Sequence, residues 1–331
     1  TFKKRNLLGM GRTVHLKATD KPWPYMEILM DVHQHELKRG LPESQYLFIL
    51  GGDDIVPMPC VRHYFPEADS DKTIDTDLLY AYPYGEEMLA ELENQQIFRY
   101  EQLFMVGRLP IGEDTTAEDL VNYLQRSLNH TEGIPVTGAY GQCDPHWKNV
   151  SARVATDLIG CGLLPNLDGQ IGDEYYYHRM ILSPMVIDRT VDQVLNKEAS
   201  LFYFNLHGSD ALQASGYFGE VPVHQGAYQV ICPAHLATLE LPNIVVTEAC
   251  YGARFIGMDK AHSMLLSAMS NETLAFLGSS RVAWGSVDPE QGATPQNVGV
   301  GLADVLAYTF MNALLQGYTV GQALFAARCA V

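Results

Sequence analysis

No stretch of this chain is basic enough to grip a nucleic-acid backbone. The densest basic run is Lys3-Lys4-Arg5, and 22 Lys and Arg stand against 39 Asp and Glu, a formal net charge of -17. Phosphate contacts need clustered Lys and Arg, so direct nucleic-acid contact is excluded as the main business of the chain. Also missing is the run of about 20 apolar residues that a bilayer span requires, and no signal-peptide pattern is present. No membrane contact is expected. Internal repeats and low-complexity segments are absent. The six cysteines, Cys60, Cys143, Cys161, Cys232, Cys250 and Cys329, show no framework spacing. If one is a nucleophile an odd five remain, so the expectation is a reducing compartment, a bacterial-type cytosol rather than secretion.

What is present reads as an ordinary folded protein: 331 residues, 47% hydrophobic and 18% charged, long enough for one large or two medium domains. Residues 23–40 carry a helical apolar period that Gly40-Leu41-Pro42 stops. Tyr46–Leu50 reads as a short strand before Gly51-Gly52-Asp53-Asp54, a tight turn whose carboxylates act in turn chemistry or bind a cation. Thr76–Tyr82 and Leu103–Pro110 read as further strands. Residues 115–128 read as a helix with Thr116 near its N-cap and Leu120, Val121, Tyr123, Leu124 and Leu128 on its buried face. A polar stretch at His130–Gly133 marks a boundary, giving domains 1–131 and 132–331. In the second, Val136–Gly141 and Tyr175–Tyr177 read as strands, and Asn149–Ile159, Ser183–Leu195, Val298–Leu315 and Val320–Ala327 as helices. Alternating strands and helices predict a mainly parallel sheet covered on both faces.

Two stretches carry chemistry. Leu201-Phe-Tyr-Phe-Asn-Leu-His207-Gly208-Ser209 and Asn243-Ile-Val-Val-Thr-Glu248-Ala249-Cys250-Tyr251-Gly252 are apolar, β-prone runs that end at small residues and one reactive side chain. Such runs read as buried parallel strands, whose carboxyl ends collect functional groups. The His and Cys are 250 − 207 = 43 positions apart, room for a strand, a connection and a strand. A thiol beside an imidazole that takes its proton is the minimum apparatus for cysteine nucleophilic catalysis. The N–H groups of Gly208 and Cys250 are placed to cradle an oxyanion.

These motifs make the chain resemble caspase-fold (clan CD) cysteine peptidases, closest in pattern to the gingipain-like family and the related CHAT domains. His207-Gly208-Ser209 matches the family's His-Gly motif and Glu248-Ala249-Cys250-Tyr251-Gly252 its Ala-Cys motif. Leu47–Pro57, Asp75–Tyr80, Val106–Pro110 and Ala275–Arg281 resemble further segments of the gingipain-like fold. The resemblance implies a three-layer α/β/α caspase-like sandwich preceded by a smaller, pseudo-caspase-like α/β subdomain. It implies an endopeptidase acting on protein or peptide substrates, with Cys250 as nucleophile and His207 as general base and acid, under control of a regulatory module or partner protein. A start at Thr1 and a stop at Val331 fit a piece of a larger protein. The rival expectation is a catalytically silent caspase-fold module that serves assembly.

The remaining site residues divide. Asp144, in the loop Cys143-Asp144-Pro145-His146-Trp147, is placed to orient His207, or else to cap a turn. By the resemblance, the pocket for the residue before the scissile bond (P1) involves Arg281, Trp284 and Gly285. A carboxylate floor from Asp144, Asp210 or Asp288 implies Lys or Arg at P1, whereas an inward Arg281 implies an acidic one. No catalytic metal or cofactor is expected; Cys232-Pro-Ala-His235 lacks third and fourth zinc ligands. Asp53, Asp54, Asp75 and Asp77 are the oxygen-rich candidates for a structural calcium ion, and Arg108 is the cation expected to pair with one of these acids.

Overall fold

The computed structural model describes residues 2–4, 12–14, 21–40, 45–62, 71–85, 101–167, 176–183, 195–211, 215–220, 226–288 and 294–331. The chain divides into two compact units, Thr1–Ile111 and Gly112–Val331. The division thus falls before the helix at 117–129, which belongs to the second unit. Most of the helix expected at Ser183–Leu195 lies outside the described residues. None of the helices in the described residues is long and apolar enough to cross a membrane.

In the first unit, β1 (Phe2–Lys4) and β2 (Arg12–Val14) pair antiparallel. Helix α1 (Trp23–Arg39) starts with Pro at its first turn and ends at Gly40, whose φ of 62° is the left-handed conformation a C-cap favours. Strand β3 (Tyr46–Leu50) pairs in parallel with β6 (Met105–Leu109), and β4 (Cys60–Arg62) antiparallel with β5 (Thr73–Asp75). Met26, Ile49, Val106 and Phe104 form the core here, together with Leu79 and Tyr80.

The segment expected as a strand at Thr76–Tyr82 is instead the one-turn helix α2 (Leu78–Ala81). Its position is set by polar partners that periodicity does not report. Arg108, buried on β6, donates from Nε and Nη2 to the two oxygens of Asp77 at 2.8 and 2.6 Å. Its Nη1 donates to the Gly51 and Val56 carbonyls, and Tyr80 donates its hydroxyl to Pro57. One guanidinium therefore clamps the Gly51-Gly52-Asp53-Asp54 turn to the start of α2. Asp53 accepts from Met58 N–H at 2.6 Å, the turn chemistry expected of it. Among the described residues no three His, Cys, Asp or Glu side chains form a group that could hold a metal ion. Because a lysine cannot reproduce the planar fork, Arg108→Lys is expected to cost about 2 kcal/mol. Faster hydrogen exchange of the β3 and β6 amides is the check.

The second unit is built on one six-stranded sheet in the order β15-β14-β10-β7-β9-β8. Its strands are β7 (Ala139–Cys143), β8 (Tyr176–Tyr177), β9 (Met180–Leu182), β10 (Leu201–Asn205), β14 (Asn243–Thr247) and β15 (Thr273–Leu277). All neighbours run parallel except β8 and β9. Every residue of β7, β10 and β14 is buried, the polar Gln142, Asn205, Asn243 and Thr247 included, as strands of a doubly covered sheet should be. Leu201 and Tyr203 of β10 face one core, shared with α4 (Lys148–Val154), α5 (Thr156–Gly160), α8 (Ala303–Leu315) and α9 (Val320–Ala330). Phe202 and Phe204 face the other, shared with α7 (Met264–Met269). The expected helix Asn149–Ile159 is thus two short ones, and that expected at Val298–Leu315 begins only at Ala303.

Helix α3 (Ala117–Asn129) carries the expected Thr116 cap, completed as a capping box by Asp119. Its inward face differs from the expected one. Val121 and Leu128 are exposed, while Tyr123 is buried and donates to the Leu274 carbonyl, and Arg126 donates to the carbonyls of Met269 and Thr273. Polar anchoring at the edge strand β15 has fixed the rotation of this helix. A small sheet, absent from the sequence reading, completes the unit: β11 (His207–Gly208), β12 (Tyr217–Glu220) and β13 (Ala227–Ile231), paired antiparallel.

Candidate active site

Parallel pairing brings three chemically distinct side chains to one edge. Strands β7, β10 and β14 are adjacent, with Cys143 opposite Asn205 and Phe204 opposite Thr247. Asp144 follows β7, His207 follows β10, and Cys250 follows β14 by three residues. The ladder continues past the strand ends through Asp144 N to Asn205 O and Glu248 N to Phe204 O, both 2.9 Å. All three groups therefore start from a rigid base.

Gly208 lies against the backbone that carries the thiol. A Cβ on Gly208 would sit 1.7 Å from the Cys250 carbonyl oxygen and 3.1 Å from its nitrogen, so no side chain fits. His207 is about one-third exposed, and the Trp147 ring leans on it at a centroid distance of 4.4 Å. Its Nε2 faces two carboxylates, Asp144 Oδ2 at 3.9 Å and Glu220 Oε1 at 3.6 Å. Both separations are ion-pair rather than direct hydrogen-bond distances. Asp144 is fully buried and heavily used: Oδ1 meets His146 N and Nδ1 at 2.8 Å each, and Oδ2 accepts from Glu220 N at 2.6 Å. Asp144 thus caps the turn that follows it, the second of its two expected uses, and its Oδ2 lies 3.9 Å from His207 Nε2.

Cys250 sits in a tight turn. Tyr251 has φ 55°, a left-handed conformation that costs a bulky residue roughly 1–3 kcal/mol and is held only where the surroundings impose it. Here Tyr251 N donates to Arg281 O at 2.7 Å and Ala253 N to Ser279 O at 2.8 Å. The Cys250 thiol accepts from Ala283 N at 3.4 Å and donates to Ala283 O at 3.7 Å. The loop after β15 thus lines the sulfur. It is anchored further on, where Asp288 accepts from Asn149 N, Asn149 Nδ2 and Val150 N and so caps α4. Trp284 is exposed on this loop, and a Cβ on Gly285 would approach Asp304 Oδ1 to 2.8 Å. Asp210 is exposed, its carbonyl held by Arg254.

Beneath the turn lies a buried acid pair. Tyr203 donates its hydroxyl to Glu248 Oε1 at 2.6 Å, and Glu248 shares a hydrogen bond with Asp304. Asp304 Oδ2 accepts from Ser286 N at 2.7 Å and Gly301 N at 3.0 Å, which puts the proton of the pair on Glu248. Burial, and then the neighbouring Asp304 charge, hold the Glu248 carboxyl well above its ordinary value of 4.5. Away from this edge, Cys232-Pro-Ala-His235 is a helix cap: His235 Nδ1 accepts from Cys232 N at 3.0 Å and lies 3.3 Å from its sulfur, at the start of α6 (Pro233–Leu236). All six cysteines are free thiols.

Sequence reasoning missed Glu220 and the stacking Trp147 as neighbours of the imidazole, and His146 as a partner of Asp144. Glu220 follows His207 by 220 − 207 = 13 positions. The available signal was Gly216-Tyr-Phe-Gly-Glu220, a short β-prone run that pairs back on the His-Gly strand.

No family model and no curated protein matches the chain. A solved structure that is similar is the complex of Porphyromonas gingivalis RgpB pro- and mature domains, at 14% sequence identity and a TM-score of 0.53. The likeness covers 91% of this chain and 63% of that one, so the present chain spans less than two thirds of its length. At that identity the likeness shows the fold: a mixed α/β structure with a mainly parallel central sheet and helices on both faces, consistent with a caspase-like fold.

Proposed function

We propose that the second unit is a cysteine endopeptidase of the caspase-like fold, with Cys250 as nucleophile and His207 as general base and acid. One observation carries this reading: Asp144, His207-Gly208 and Cys250 end three adjacent parallel strands, with Gly208 pressed against the Cys250 backbone. A free thiol with a pKa of about 8.5 is only a few per cent ionised near neutrality, so the imidazole must take its proton. The thiolate then attacks the scissile carbonyl carbon, and the negative charge that forms on oxygen is met by the N–H groups of Gly208 and Cys250. Imidazolium returns the proton to the leaving amine, the C–N bond breaks, and an S-acyl enzyme remains. Water, deprotonated by His207, releases the acid and restores the thiol. With Nε2 turned toward Asp144, Nδ1 is the ring nitrogen left for this traffic.

The S1 wall in this reading is the Ala283–Gly285 segment with Trp284. Because the thiol is engaged by Ala283, substrate entry requires that segment to give way, which supports control by a partner or regulatory module. That the similar RgpB structure is a complex of pro- and mature domains supports the same view. The test is labelling with peptidyl electrophiles bearing basic, acidic and neutral P1 groups, together with mapping of new protein N-termini. Labelling on Cys250 and N-termini lost in Cys250→Ala are expected. A chain unlabelled by every probe would be an assembly module instead.

A further inference from the structure

The imidazole of His207 is faced by more acid than a dyad needs, and the two acids differ in how free they are to act. Asp144 is fully buried with each oxygen already accepting a hydrogen bond elsewhere, from His146 and from Glu220 N. Its position 3.9 Å from Nε2 is fixed by those bonds. Glu220 is closer, at 3.6 Å, and its side chain is nearly half exposed. Its placement follows from sheet geometry. His207 is directly opposite Phe218 in the β11–β12 pair, and residues two apart on a strand share a face, so Glu220 is the diagonal neighbour of His207 on the same face. The Glu220 N–H bond to Asp144 ties that strand end to the strand end of β7. Trp147 covers the ring itself.

Resting on the peptidase reading, we propose that Glu220 is a positioning residue for His207. Its carboxylate faces Nε2, favours by its charge a proton on that nitrogen, which leaves Nδ1 for the thiol, and favours the imidazolium that forms when the Cys250 proton is taken. Among the described residues the carboxylates that face this imidazole are Asp144 and Glu220. His146 Nδ1 contacts Asp144 and lies 3.9 Å from Glu220 Oε2, so it draws on the same two acids.

The experiment follows alkylation of Cys250 by iodoacetamide across pH, read by mass spectrometry of the Cys250 peptide so that the exposed Cys60, Cys161 and Cys329 do not enter. Glu220→Gln keeps the shape of the side chain and removes its charge. The pH profile of Cys250 alkylation is expected to change in Glu220→Gln, with alkylation at neutral pH about three- to tenfold slower, and Glu220→Asp is expected to recover most of the loss. An unchanged profile in Glu220→Gln, while His207→Ala still alters it, would overturn the role of Glu220 and leave the dyad standing. A wild-type profile indifferent to His207→Ala would instead sink the peptidase reading itself. With a peptide substrate in hand, a raised KM with an unmoved pH limb would make Glu220 a substrate contact and also overturn the proposal.

Discussion

Gly208→Ala is expected to leave the second unit folded and to lower peptide turnover and Cys250 labelling by a hundredfold or more. The added Cβ would lie 1.7 Å from the Cys250 carbonyl oxygen and 2.7 Å from its carbonyl carbon. Both are backbone atoms, so no side-chain rotation relieves the clash. One of the two strand ends must move by about an ångström. Overpacking of this kind costs about 1–3 kcal/mol of stability. The functional cost is larger, because a shift of about 1 Å in a catalytic constellation is worth about 10²-fold in rate. The Gly208 N–H would move with it, displacing the proposed oxyanion donor, a group worth about 10²–10³ by itself. The check is to measure labelling and thermal unfolding on the same sample. A variant that folds and labels like wild type would show that the His-Gly backbone contact has no part in the chemistry.

The second large effect concerns the acid pair under the turn. Glu248 has a carboxyl held well above 4.5 in the folded chain, so the folded state keeps a proton that the unfolded chain releases. The stability tied to that proton is fully present below about pH 4.5 and is lost as pH rises through the folded value. Within that window the loss is up to about 1.4 kcal/mol per pH unit. Glu248→Gln keeps an acceptor for the Tyr203 hydroxyl and an amide to donate to Asp304, and should remove this slope, seen as a flatter difference curve of unfolding free energy against pH. Asp304→Ala is expected to be costlier, about 3–5 kcal/mol, because Ser286 N, Gly301 N and protonated Glu248 lose their acceptor together. Since the Ser286 end of the β15 loop hangs on Asp304, that variant should also react faster at Cys250, as Ala283 loosens its hold on the sulfur.

Read alone, the sequence determined the strands that matter and the residues at their ends. Leu201–Phe204 and Ile244–Val246 are unbroken apolar, β-prone runs, the pattern of a strand buried on both faces, and every residue of both strands is buried. Parallel pairing of strands of like sense then obliges His207 and Cys250 to leave the sheet at one edge. What the sequence left open was decided by contacts that have no period. Asp77 turned a strand-like run into a helix because Arg108 reached it from 31 positions away. Helix α3 took its rotation from the Leu274 and Thr273 carbonyls of β15 rather than from its own apolar residues. Glu220 came to His207 through the pairing of a two-residue strand too short to have a pattern. Local propensity fixes which segments extend or coil; which polar groups meet is a property of the packed whole, because each buried donor and acceptor must find its partner wherever the fold has put it.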